Sequence, residues 1–211
     1  MNIHKIRERA VLDAILQRLT DPSSPRPDST AESERPDFII AVAGETIGVE
    51  ITLAAYEEHI RALRLQANEC ATLWINTTHF GSRPLRRSNE QLADSMGYNA
   101  VLQPWKPVGT SLFHWSQKIE QALESKRQKL NQEDFQKFDK NWLIVCDFPR
   151  LPADYEVRNR EQHLLNLFEQ QTAYAQDFDT VFVDSGDDLF CWHEGEFLGR
   201  LLPTHTNCRI N

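Results

Sequence analysis

Residues 35–52 read Arg-Pro-Asp-Phe-Ile-Ile-Ala-Val-Ala-Gly-Glu-Thr-Ile-Gly-Val-Glu-Ile-Thr. Two runs rich in β-branched and aromatic residues, Asp37 to Val42 and Glu45 to Thr52, are separated only by Ala43 and Gly44, which predicts a β-hairpin with a two-residue turn. Such a turn pairs Val42 with Glu45, and continuing the ladder sets Asp37 opposite Glu50 on one face. Two carboxylates placed in this way lie roughly 5 Å apart at Cβ and repel unless a cation lies between them. Strand alternation puts Thr46, Gly48, Glu50 and Thr52 on one face and Ile47, Val49, Ile51 and Leu53 on the other, so the second strand is apolar behind and polar in front. Pro36 suits a strand start, which fixes where the first strand begins. The competing reading is an ordinary hairpin with its polar face in water. A loop one residue longer would move Asp37 to the other face.

The sequence Pro36-Asp37, a hairpin and then Glu50-Ile51-Thr52 resembles the Pro-Asp…(Asp/Glu)-X-Lys nucleases, the PD-(D/E)XK superfamily of metal-dependent phosphodiesterases. The motif covers residues 34–52, and a compatible order of elements covers most of the chain. The resemblance implies a restriction-endonuclease-like α/β fold, a mixed central sheet flanked by helices. It also implies Mg²⁺ or Mn²⁺ held by Asp37 and Glu50, and a nucleic-acid substrate, with DNA favoured. The chain departs from the pattern at Thr52, where the strand lysine is expected. Some branches of the superfamily supply that lysine from a following helix. The first helix there often carries a glutamate that completes the metal site, which makes Glu8 a third acidic candidate.

The rest of the chain is read with that requirement in view. Ile3 to Leu19 has Val11, Leu12, Ile15, Leu16 and Leu19 at helical spacing and ends before Asp21-Pro22. Glu8 points along the middle of this stripe, where a carboxylate needs a partner unless that end of the stripe is solvated. Residues 20–34, with Pro22, Pro25 and Pro27 among serines and charges, read as a flexible loop. Ala54 to Ala71 is helical in pattern. Thr72 to Thr77 reads as a short strand or a loop, and Ser88 to Met96 as a short helix with Ser88 as N-cap and Glu90 in its first turn. Residues 54–116 are read together as a helical and loop insertion, in which the long stretch 77–110 suggests a functional flap.

Ser111 to Leu130 reads as a helix with Ile119, Leu123 and Leu130 on its apolar side. Lys118, Lys126 and Lys129 lie on the adjoining strip, Lys126 nearest the boundary. The order Ile119, Leu123, Lys126, Lys129, Leu130 before a buried strand looks like the branch with a helix-borne lysine, so Lys126 and then Lys129 are the candidates for the missing cation. A solvated basic face explains either lysine taken alone. Asn141 to Asp147, Tyr155 to Ala175 and Thr180 to Asp184 form a strand, helix and strand, implying a right-handed crossover and a parallel pair. Leu189 to His193 and Phe197 to Leu201 follow as strands. Asp187 and Asp188 suit a turn without any cation, and Cys191-x-His193 with His205-x-x-Cys208 has no recognised zinc spacing.

Composition sets the outer limits. The 211 residues suit one domain with a substantial core. At a mean hydropathy of −0.53, no apolar run approaches the roughly 20 residues that cross a bilayer, so no membrane association is expected. Met1 to Arg9 is charged with no apolar block behind it, so no secretory signal is expected. Cys70, Cys146, Cys191 and Cys208 are widely spaced, as in a cytoplasmic protein with buried thiols. The net charge of −8 disfavours broad nucleic-acid binding but leaves room for a local basic loop such as Arg83, Arg86 and Arg87. There is no phosphate loop, dinucleotide fingerprint, nucleophile elbow or His-Glu-x-x-His.

The expected activity is therefore metal-dependent phosphodiester hydrolysis. One alternative is a nuclease fold that has lost its chemistry and serves as a protein-binding accessory or immunity subunit. Another is a DNA-binding module without catalysis. A homodimer is compatible with any of these.

Overall fold

The computed structural model describes residues 3–19, 27–55, 60–61, 65, 88–95, 108–133, 135–147, 157–170 and 177–201. The elements in chain order are helix α1 (Ile3–Leu19) and strands β1 (Ser29–Glu32), β2 (Phe38–Val42) and β3 (Glu45–Ala54), followed by helices α2 (Asn89–Ser95) and α3 (Val108–Leu130). Strand β4 (Lys140–Asp147), helix α4 (Val157–Gln170) and strands β5 (Thr180–Asp184), β6 (Leu189–His193) and β7 (Glu196–Leu201) complete the order. Of the helix expected over 54–71, Ala54 is instead the last residue of β3, and residues 60, 61 and 65 are helical. The expected strand at 72–77, the Arg83 to Arg87 loop, Cys70, most of the 77–110 flap and His205-x-x-Cys208 lie outside the described residues.

Seven strands form one sheet in chain order. β3, β4 and β5 are mutually parallel, and the remaining neighbours are antiparallel. The α/β class and the mixed sheet expected from sequence are thus present. The hairpin register is the expected one: Val42 pairs with Glu45 and Phe38 with Val49. Ala43 and Gly44 both have positive φ, at 51° and 86°, the conformation that lets a two-residue turn follow the twist of its strands.

The loop reading of residues 20–34 is corrected for its second half, because Ser29 to Glu32 is a strand paired with β2. Its Ser-Thr-Ala-Glu sequence carries no apolar alternation, and three of its four residues are exposed. The missing signal follows from its position: an edge strand without a buried face is held by the ladder of its neighbour. Residues 20–26 lie outside the described residues.

Alternation along β2 and β3 divides the core between two layers. Phe38, Ile40, Val42, Ile47, Val49 and Ile51 pack with Leu12 and Ile15 of α1 on one face. On the other face, Leu143, Val145, Val181 and Val183 pack under Ile119 and Leu123 of α3 and Leu164 and Phe168 of α4. Arg18, in the last turn of α1, ties that helix to the sheet by donating to Asp184 Oδ1 at 3.3 Å and to the carbonyl of Gly186. Ser88 caps α2 as expected: its Oγ accepts from the Gln91 N–H at 3.2 Å while the Gln91 side chain accepts from the Ser88 N–H at 2.9 Å, a reciprocal cap. No helix among the described residues is long and apolar enough to cross a membrane.

Candidate functional site

The apolar face of β3 lies against α1, so its other face, carrying Gly48, Glu50 and Thr52, is turned towards α3. Pro36 is buried and its ring lies over Gly48. A Cβ on Gly48 would meet Pro36 Cγ at 3.0 Å and Phe138 Cδ2 at 2.7 Å. The glycine thus makes room for the proline that precedes Asp37. The β2–β3 ladder ends at Phe38 and Val49, and beyond it the side chain of Asp37 takes the place of a backbone partner. Its Oδ2 accepts from the Ile51 N–H at 2.8 Å.

This bond holds Asp37 beside Glu50. Glu50 is 5% exposed, and its Oε2 accepts from the Lys126 ammonium. The same ammonium lies 3.7 Å from Asp37 Oδ2. One lysine from α3 therefore faces both acids of the hairpin. Burial pushes the Glu50 carboxyl above its ordinary range; Lys126 opposes the shift, the Asp37 charge adds to it, and Lys129 pulls it down again. Lys129 is exposed on the outer side of α3, so its influence is long-range.

Asp37 has a second lysine that the sequence reading did not anticipate. Lys5 of α1 donates to Asp37 Oδ1 at 3.1 Å and to the Asp37 carbonyl at 3.4 Å. The ammonium is also 3.3 Å from Glu8 Oε2, which is buried without a well-formed hydrogen bond. Burial works against the charge on Lys5, yet Asp37 and Glu8 together outweigh it and raise its pKa. Glu8 was expected to need a partner, and that partner is one turn earlier on its own helix. The signal was present as Lys5-x-x-Glu8, a spacing that places two side chains side by side on a helix.

Asp37, Glu50 and Lys126 are therefore brought together as the sequence predicted. Lys129 stays at the rim, and Glu8 is separated from the pair by Lys5. Among the described residues, no three His, Cys, Asp or Glu side chains converge as a ready-made metal cage. Asp37 and Glu50 alone still fit Mg²⁺, which keeps several waters and is commonly held by one or two carboxylates together with substrate phosphate.

Two other clusters contain residues singled out from the sequence. Lys118, read on the strip adjoining the apolar side of the helix, is buried, and its ammonium lies 3.6 Å from Asp147 Oδ1. Asp188 in the β5–β6 turn does meet cations, but they are the guanidinium groups of Arg160 and Arg200. Cys191 is buried and is not in a disulfide, and His193 Nδ1 is 2.8 Å from Thr180 Oγ1. Comparison with known proteins finds no matching family model, no matching curated protein and no matching solved structure.

Proposed function

We propose that the protein is a metal-dependent nuclease that hydrolyses phosphodiester bonds, with DNA as the favoured substrate. The observation that carries this reading is that Asp37 and Glu50, thirteen positions apart in the sequence, share one ammonium from a remote helix. The order of elements supports it, since a helix, three antiparallel strands, a helical segment that includes α2 and α3, and a strand parallel to the third are compatible with a restriction-endonuclease-like core. Asp37 and Glu50 are the residues that would hold Mg²⁺ or Mn²⁺. The bound cation supplies Lewis-acid activation of water and neutralises charge developing at phosphorus.

The contribution of the chain itself is positional. The Ile51 amide holds Asp37, Glu50 is buried, and Lys126, beside both acids, would serve in place of the motif lysine that Thr52 replaces. A phosphate drawn to this pair meets a charge that is already in place, and preorganised help of this kind is worth on the order of a hundredfold or more in rate. The test is DNA cleavage with Mg²⁺ or Mn²⁺ by the wild type, Asp37→Ala and Glu50→Ala. Activity in the wild type that both substitutions abolish is the expected result, and cleavage surviving both removes the site.

One observation favours a second reading, a catalytically degenerate fold acting as a protein-binding or regulatory subunit. Each acid of the pair already has an internal lysine partner. Calorimetric titration separates the two readings, because carboxylate-dependent Mn²⁺ binding belongs to the nuclease and its absence to the degenerate form.

A further inference from the structure

We infer that Lys5 occupies the position of a second cation, so that the site takes a single divalent ion and uses the Lys5 ammonium where a second would sit. This inference rests on the metal-dependent reading above and deepens it. Three carboxylates are involved, Glu8, Asp37 and Glu50, and they are not arranged symmetrically. Asp37 presents one oxygen to each side of the sheet: Oδ2 lies towards Lys126 with Glu50 beyond it, and Oδ1 towards Lys5 with Glu8 beyond it. Each lysine thus bridges a pair of acids that includes Asp37.

The two bridges differ in what surrounds them. Lys5 is held by more than charge. It also donates to the Asp37 carbonyl and lies 5.4 Å from the centre of the Phe38 ring, within reach of a cation–π contact. An ion at either bridge has to displace a lysine; at Lys126 that breaks contacts to the two carboxylates, whereas at Lys5 it also breaks the bond to the Asp37 carbonyl and the contact with the Phe38 ring, so the Lys5 ammonium is the harder of the two to replace.

Charge gives the same answer. The three carboxylates and two ammonium groups leave one negative charge, and a single divalent ion turns that into one positive charge, a match for one phosphodiester. A second divalent ion added with both lysines in place would leave three positive charges in a partly buried space, which is strongly unfavourable. Binding of a second ion therefore requires that Lys5 leave.

The experiment is calorimetric titration of the full chain with Mn²⁺ alone, read as ions bound per chain. The wild type is expected to bind one ion. Lys5→Met, which keeps the length of the stem but removes the charge, is expected to bind two. Lys5→Arg is expected to return the count to one, and Lys5→Met combined with Glu8→Gln is expected to return it to one by removing the far ligand of the new site.

Glu8→Gln alone should leave one ion bound with affinity changed less than threefold, and this variant keeps the inference testable if Lys5→Met fails to fold. Loss of the bound ion in Glu8→Gln would make Glu8 a primary ligand and overturn the inference. Two ions on the wild type, or one ion with unchanged affinity on folded Lys5→Met, would overturn the role of Lys5 while leaving the metal reading intact. No binding to any of these proteins would remove both.

Discussion

Helix α3 carries two lysines, Lys118 and Lys126, that reach carboxylates on the sheet from positions about two turns apart, and the two pairs sit in different surroundings. At Lys118 the pair is sealed, with side chains 6% exposed for the lysine and 0% for Asp147. Ser185 Oγ donates to the other Asp147 oxygen at 3.1 Å. Burial pushes the Asp147 carboxyl up and the Lys118 amine down, and each is partly restored by the other.

At Lys126 the ammonium is divided between two acids, and all three side chains keep some contact with solvent, between 7% and 14%. The sealed pair ties α3 to the end of β4. The open pair has one acid more than its lysine, and it is the pair to which the proposed function assigns a cation. Buried ion pairs are weak evidence for net stability and better evidence for register. On this view Lys118 sets the position from which Lys126 acts.

The largest effect is expected from breaking the sealed pair. Lys118→Ala leaves Asp147 buried and uncompensated, and denaturant unfolding should register a loss of about 3 to 5 kcal/mol. The double change Lys118→Met with Asp147→Leu should recover most of that loss, because neither charge then needs solvating. A single substitution costing under about 1 kcal/mol would erase the contrast between the pairs.

Next in size is Lys126→Met, expected to lower DNA cleavage by on the order of a hundredfold while leaving the unfolding midpoint much closer to wild type than Lys118→Ala does. If Lys126→Met instead unfolds the protein with full activity retained in the folded fraction, the open pair is structural. Gly48→Ala should cost about 1 to 3 kcal/mol through overpacking against Phe138 and Pro36, and it should weaken Mn²⁺ binding because Asp37 follows the proline. Calorimetry on the folded variant checks this.

A smaller effect tests the open pair by pH. The folded state holds a proton on Glu50 more tightly than the unfolded chain does, so the charged form costs stability. Glu50→Gln should therefore raise the melting temperature at neutral pH. The gain should shrink as pH falls through the raised pKa and vanish below the ordinary glutamate range, where wild-type Glu50 is protonated in both states. A gain that grows towards acid would contradict the assigned direction. Smallest of all, Lys129→Ala on the exposed side of α3 should change stability by less than about 0.5 kcal/mol.

The sequence made the hairpin legible because the signal is local. A two-residue gap fixes the turn, the turn fixes the register, and alternation assigns each side chain to a face. Asp37 and Glu50 could be paired on paper for that reason. Lys126 rests on a weaker argument, the edge of an apolar stripe, and the same argument leaves Lys118 on the adjoining strip with no partner assigned. Periodicity ranks positions around a helix, but it does not say how far the sheet beneath extends, and Asp147 at the end of β4 reaches under α3 to meet Lys118. Strand β1 escaped notice because it buries no face of its own.

Local pattern, then, determined the hairpin, the register of its two acids and the helical stripe that carries Lys126. Tertiary structure decided which acids the lysines meet beyond their own helix, since Lys5–Asp37, Lys126–Glu50 and Lys118–Asp147 join residues whose separation in the chain leaves no imprint on any window of sequence. It also decided that Lys5 stands between Glu8 and Asp37. A helix records its own neighbours three and four residues away, whereas the partner across a sheet is chosen only when the layers pack.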